Sequence, residues 1–135
     1  MRVLALDYGS ARCGCAVSDP SGTIATPLEV VSGPRTRRGL RRLRMLVEQL
    51  EAERVVVGLP VSLAGGETSQ TSETRTFADA LAAALEIPVE LHDERLTTKL
   101  ASRLGGRASE DSRAAAVLLE SWLASRAGTG SLSRG

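Results

Sequence analysis

The residues able to do chemistry in this sequence are acids at three separated places: Asp7, the pair Asp93-Glu94, and Asp111. Each is expected at the end of a structural element. Asp7 closes the apolar run Val3 to Leu6, Asp93 and Glu94 close the run Val89 to His92, and Asp111 falls in the first turn of a helix capped by Ser109. Carboxylates gathered in one crevice repel one another and drive a pKa upward, and a bound cation reverses that logic. Hard divalent cations take oxygen ligands. Two Mg²⁺ or Mn²⁺ ions roughly 4 Å apart can acidify a nucleophilic water and stabilise the leaving oxygen of a phosphodiester. Asp7, Glu94 and Asp111 are therefore the expected catalytic residues and metal ligands. Asp93 is expected to face away, because successive strand residues point to opposite sides. The plainer roles are a favourable charge at a helix N-terminus for Asp111 and an ion pair with Arg95 for Asp93 or Glu94.

Basic and hydroxyl groups flank these acids. Arg12 stands near the mouth of the first hairpin and Arg95 directly follows Glu94, both placed to hold a substrate phosphate. Thr97 and Thr98 open the next helix, where hydroxyls and backbone amides cap the helix or bind phosphate. His92, the one histidine, suits a general base beside such a site, but its strand position predicts a packed side chain. Asp19, followed by Pro20, reads as turn chemistry.

The elements that position these groups follow from the pattern of apolar residues. Val3 to Leu6 is apolar enough to be shielded on both faces, so Asp7 and the turn at Gly9 aim a charge into the crevice beyond the sheet. Gly9 and Gly14 let the chain return as an antiparallel strand, Cys13 to Ser18. Ile24 to Val31 reads as a third antiparallel strand, and Pro27 suits an edge position. A helix is predicted from about Thr36 to Ala52, with Leu40, Leu43, Val47 and Leu50 on one face. Arg54 to Gly58 is a short buried strand, Gln70 to Leu85 a helix, Val89 to His92 the last strand, Thr97 to Leu104 a short helix, and a final helix runs to about Ser125. Residues 1–126 form one expected domain, and the Gly, Ser and Arg-rich residues 127–135 a flexible tail.

An antiparallel meander followed by two strands reached through helical crossovers describes an α/β, RNase H-like fold: a five-stranded mixed sheet, three strands antiparallel and two parallel, flanked by helices. The ends of the first and last strands are expected to lie side by side. The acid-bearing hairpin also occurs in the phosphate-binding lobe of actin-like and sugar-kinase-like ATPases. Those enzymes close two lobes around a nucleotide, which weighs against them at 135 residues.

Composition narrows the partners. The apolar fraction is 42% while aromatics supply 2%, so the core must be aliphatic. No apolar run approaches the ~18 residues of a membrane span, and no targeting series opens the chain, so a cytoplasmic location without membrane contact is expected. Net charge is only +1, yet Arg35, Arg37, Arg38, Arg41, Arg42 and Arg44 fall within ten positions, at and inside the predicted helix from Thr36. Such a face either grips phosphates with a salt-dependent affinity or is simply solvated. Cys13 and Cys15 point to one face of their strand and are expected to be buried thiols, since no second Cys or His cluster completes a zinc site.

Four blocks in order make the resemblance specific: Leu6-Asp7-Tyr8-Gly9 with Arg12-x-Gly14-x-Ala16-Val17-Ser18-Asp19; Val56-Val57-Gly58-Leu59-Pro60; Val89 with Asp93-Glu94-Arg95-Leu96-Thr97-Thr98; and Asp111-Ser112-Arg113-Ala114-Ala115 leading into Leu118-Leu119. From about Arg2 to Leu123 the chain resembles the YqgF/RuvX family, RuvC-like Holliday junction resolvases also described as pre-16S rRNA nucleases. The resemblance implies a divalent-metal-dependent nuclease acting on structured RNA or branched DNA, with Asp7, Glu94 and Asp111 as catalytic acids. It implies a place in 5′ maturation of the small-subunit ribosomal RNA precursor. The rival readings are resolution of four-way DNA junctions, which calls for a homodimer making paired cuts, and a non-catalytic RNA- or ribosome-binding factor. Two departures stand out. The loop after Pro60 carries Ala64-Gly65 where the family has Asp-Gly, and the commonly lysine-rich stretch before the last acid is here Gly106-Arg107-Ala108-Ser109-Glu110, leaving Arg107 as its one substrate-binding candidate.

Overall fold

The computed structural model describes residues 1–60, 66, 68–94 and 109–134, with side chains to residue 126. Arg95, Thr97, Thr98, Arg107 and the short helix expected at 97–104 lie outside the described residues.

Five strands form one sheet: β1 (Val3–Tyr8), β2 (Arg12–Ser18), β3 (Ala25–Ser32), β4 (Arg54–Leu59) and β5 (Val89–Asp93). Their order is β3-β2-β1-β4-β5. β1 pairs antiparallel with β2, and β2 with β3, whereas β4 runs parallel to both β1 and β5. The mixed sheet is the expected one, with Pro27 on the edge strand β3. One expectation is corrected: β4 stands between β1 and β5, so the first and last strands are not neighbours. β2 already occupies the other edge of β1, so each crossover has to step outward, first to β4 and then to β5.

Helices cover both faces. On one side α1 (Arg37–Gln49) and α2 (Ser69–Ala84) pack on Leu4, Leu6, Tyr8, Cys13, Cys15, Val55 and Val57. On the other, Ala115, Ala116, Leu118, Leu119 and Trp122 of α3 (Glu110–Arg134) cover Val3, Ala5, Ala16 and Val56. The alternation of Val55, Val56 and Val57 between two dry layers explains why β4 is continuously apolar rather than alternating. Both cysteines are fully buried free thiols, as expected.

Capping chemistry sets the helix starts. Thr36 Oγ1 accepts from Gly39 N at 3.0 Å, and Thr68 and Thr71 form a reciprocal capping box for α2. Ser109 Oγ accepts from Ser112 N at 3.1 Å at the start of α3, the cap read from the sequence. α3 continues to Arg134, through the segment expected to be a flexible tail. No proline follows Ser109 to interrupt its hydrogen-bond ladder, and Gly128 and Gly130 each weaken a helix by only about 1 kcal/mol.

Candidate active site

Alternation along the strands settles which side chains share a face. Asp7 has the parity of Val3 and Ala5, so it points toward the α3 layer, and Gly58 follows Val56 in the same way. On β5 the parity of Glu90 and His92 leads to Glu94, one residue past the strand, and turns Asp93 to the opposite side, as expected.

Glu94 reaches Asp7 across β4. A Cβ built on Gly58 would fall 2.6 Å from Glu94 Oε1 and 3.1 Å from Leu118 Cδ2, so the Glu94 side chain occupies the space a larger residue there would need. The two carboxyl groups hydrogen-bond to one another. Burial first, and then the bond to Asp7 and its charge, push the Glu94 carboxyl up to about 7, so it holds the shared proton. Burial also raises Asp7 above the ordinary carboxylate range, with the Asp111 charge adding to the effect and the bond from Glu94 opposing it.

Asp111 is delivered by a different device. Gly14 is the cross-strand partner of Asp7, and a Cβ on Gly14 would overlap the backbone carbonyl of Asp111. Only glycine lets the first turn of α3 descend onto the hairpin. The β2–β3 register shifts between Gly14 and Ala16, and Ser112 fills the opening. Its fully buried hydroxyl accepts from Cys15 N and donates to the Glu29 carbonyl, each at 3.4 Å. This ties the residue after Asp111 to two strands at once.

The Asp111 carboxylate itself lies 3.4 Å from Arg12 Nε. The site is thus a half-buried, proton-sharing pair, Asp7 and Glu94, with Asp111 beside it on a guanidinium. Among the described residues no three Asp, Glu, His or Cys side chains are closed into a ready ligand group. The donor set nonetheless suits a hard cation, because it consists of carboxylate oxygens and includes a half-buried pair whose proton an ion would displace.

Other candidates resolve more simply. His92 is buried with Nε2 3.0 Å from Ser121 Oγ, and burial lowers its pKa, which fits the expected packed histidine. Asp19 Oδ1 accepts from Thr23 N and Ile24 N at 2.7 and 2.8 Å, the turn chemistry expected of it. Sequence reasoning missed the roles of Gly58, Gly14 and Ser112. The signals were present: a glycine inside a valine run marks a close approach, and a serine directly follows the last acid.

A five-stranded RuvC-like sheet with carboxylates gathered at the strand ends defines a class of hydrolases that cut phosphodiester bonds. RuvC from T. thermophilus, solved in complex with Holliday junction substrate, superposes with a TM-score of 0.68 at 16% identity, over 96% of this chain and 98% of that one. The fowlpox virus Holliday junction resolvase gives 0.52 at 13% identity, over 93% and 99%. The chain belongs to the RuvX family: the family model described as "RuvX: Holliday junction resolvase" matches residues 1–125. Relatives named "Putative pre-16S rRNA nuclease" agree. That of Mycobacterium ulcerans is 45% identical, covering 93% of this chain and 79% of the relative, and that of Streptomyces avermitilis is 43% identical, covering 92% and 86%. The chain is a nuclease.

Proposed function

We propose that this nuclease is a divalent-metal-dependent endonuclease of structured RNA that trims the 5′ end of the 16S rRNA precursor in the cytoplasm during ribosome biogenesis. The observation that carries the reading is the proton-sharing Asp7–Glu94 pair with Asp111 alongside. The substrate follows the names of the mycobacterial and streptomycete relatives.

Asp7, Glu94 and Asp111 would hold Mg²⁺ or Mn²⁺, two ions by the number of acids. When bound, the ions make the attacking water more acidic and stabilise the leaving oxygen. The chain's own residues do the rest. Glu94 gives up the proton it shares with Asp7, leaving both carboxyls as oxygen donors. Arg12, exposed on its outer side, exchanges Asp111 for a substrate phosphate, which holds the scissile strand over the pair and frees Asp111 to turn inward. Ser112 and Gly14 keep the first turn of α3 at the depth this requires.

A second reading keeps the chemistry and changes the substrate to a four-way DNA junction, favoured by the family description and by the fold of T. thermophilus RuvC. It requires a homodimer placing two sites for paired cuts. The test is cleavage of labelled precursor 16S RNA and of a four-way DNA junction by wild type and Asp7→Asn, each in EDTA, Mg²⁺ and Mn²⁺. Metal-dependent cutting of the RNA by wild type alone is expected. Preferential cutting of the junction by a dimer selects the second reading. Binding without any product, unchanged in Asp7→Asn, sinks both in favour of a non-catalytic RNA-binding factor.

A further inference from the structure

Several arginines of the fold have defined partners: Arg2 donates to the Leu50 carbonyl, Arg126 lies over the Trp122 ring, and four others are matched with carboxylates. Arg12 pairs with Asp111, Arg35 with Glu73 at 3.8 Å, Arg42 with Glu29 and Arg54 with Glu90 at 2.6 Å. Arg37, Arg38, Arg41 and Arg44 of α1 are all exposed, and none has an ion-pair or hydrogen-bond partner among the described residues. The first turn of α1 holds no acid. Arginines at the positive end of a helix, with like charges four residues apart, oppose helix stability by a few tenths of a kcal/mol each. The arrangement is electrostatically unfavourable for the isolated fold.

Spacing gives it a direction. Arg37, Arg41 and Arg44 stand at i, i+4 and i+7, one line along the helix about 10 Å long, with Arg38 alongside. The line starts at the catalytic end of the sheet. Gly33 N donates to Ala11 O at 2.9 Å, and Ser32 pairs with Arg12, so the lead into α1 is fastened to the same hairpin that presents Asp7. From there it runs down the layer opposite α3. An anionic lipid surface fits poorly, because the apolar residues Leu43, Leu46 and Val47 of α1 are committed to the core and Met45 is the one large apolar side chain exposed on the helix.

We infer that the Arg37–Arg41–Arg44 row of α1 is a second nucleic-acid contact, gripping the phosphate backbone of a duplex arm that extends away from the catalytic cleft. The row contacts no bases and so carries no sequence preference. It rests on the proposed nucleic-acid substrate and adds where the flanking arm of that substrate lies.

The test is the salt dependence of binding to a duplex RNA and a duplex DNA of equal length, measured in EDTA so that nothing is cut. Each phosphate contact contributes roughly 0.7 to 0.9 to the slope of log K against log salt. The triple variant Arg37→Gln/Arg41→Gln/Arg44→Gln is expected to lose about 2 to 3 from that slope on both duplexes, with helicity and Tm retained. The matching triple Arg→Lys variant is expected to keep the slope. An unchanged slope in the Gln variant, with wild type binding and cutting normally, overturns the α1 contact and leaves the proposed function standing. Wild type that neither binds nor cuts brings down both. Loss of binding to phosphatidylserine vesicles in the Gln variant, with the nucleic-acid slope untouched, overturns it in favour of a membrane.

Discussion

Glu94 donates a hydrogen bond to Asp7 across a strand whose facing residue, Gly58, has no side chain. That contact makes the metal-free protein sensitive to pH. Glu94 titrates at about 7 when folded against an ordinary 4.5, so its folded pKa is the higher one. Below 4.5 both states are protonated and nothing is lost. Between 4.5 and 7 the unfolded chain ionises first, so stability falls as pH rises, and above 7 the penalty is constant. Asp7, also raised, adds in the same direction. In EDTA, Tm is expected to decrease from pH 4.5 to 7 and level off, while Glu94→Gln, which keeps a donor without the charge, flattens this segment. Thermal melts across pH check it, and a wild-type Tm that rises over the same interval would refute the shared proton.

Gly58→Ala tests the space the pair requires. The new methyl meets Glu94 Oε1 at 2.6 Å and Leu118 Cδ2 at 3.1 Å, so either Glu94 leaves Asp7 or α3 shifts. Overpacking of this kind costs about 1 to 3 kcal/mol. Chemical denaturation should show that loss, together with a downward shift of the Glu94 titration as the pair separates. Full stability with an unshifted titration would mean that β4 relaxes freely at this point.

The sheet, the helical layers, the Ser109 cap and the burial of Cys13 and Cys15 were legible because each rests on local pattern: apolar periodicity, a hydroxyl before a helix, alternation along a strand. The convergence of Asp7, Glu94 and Asp111 was legible because each stands at one terminus of an element. The position of β4 between β1 and β5 was not, since hydrophobic pattern says that a strand is buried and not which neighbour it takes. Gly14, Gly58 and Ser112 were unread for a related reason. Their roles depend on what approaches them from a distant part of the chain, and a glycine in a strand looks the same whether it admits a carboxylate, a helix turn or nothing.

Ser112→Ala isolates the link between α3 and the register shift in β2. The hydroxyl serves the buried Cys15 N and the half-buried Glu29 carbonyl, and removing it leaves both without this partner. An unsatisfied buried group costs about 1 to 3 kcal/mol. The midpoint of urea unfolding should fall accordingly with its slope unchanged. Cutting should weaken by about 10-fold or more, because the residue that sets the depth of Asp111 has lost its anchor. A stable variant of normal activity would show that Gly14 alone positions the turn.

Arg12→Gln separates binding from folding. The Arg12–Asp111 pair is exposed on both sides, with side-chain accessibilities of 68% and 40%, and exposed pairs contribute only about 0 to 1 kcal/mol. Stability should therefore hardly change. If Arg12 trades Asp111 for a substrate phosphate, the variant should bind nucleic acid more weakly, with the salt slope reduced by about 1. Its KM should rise more than its kcat falls, because the acids themselves are intact. If Arg12 serves only to hold Asp111 in place, the opposite split appears: kcat drops while binding and its salt dependence stay at the wild-type level. Steady-state kinetics and a salt titration on the same preparation decide between the two.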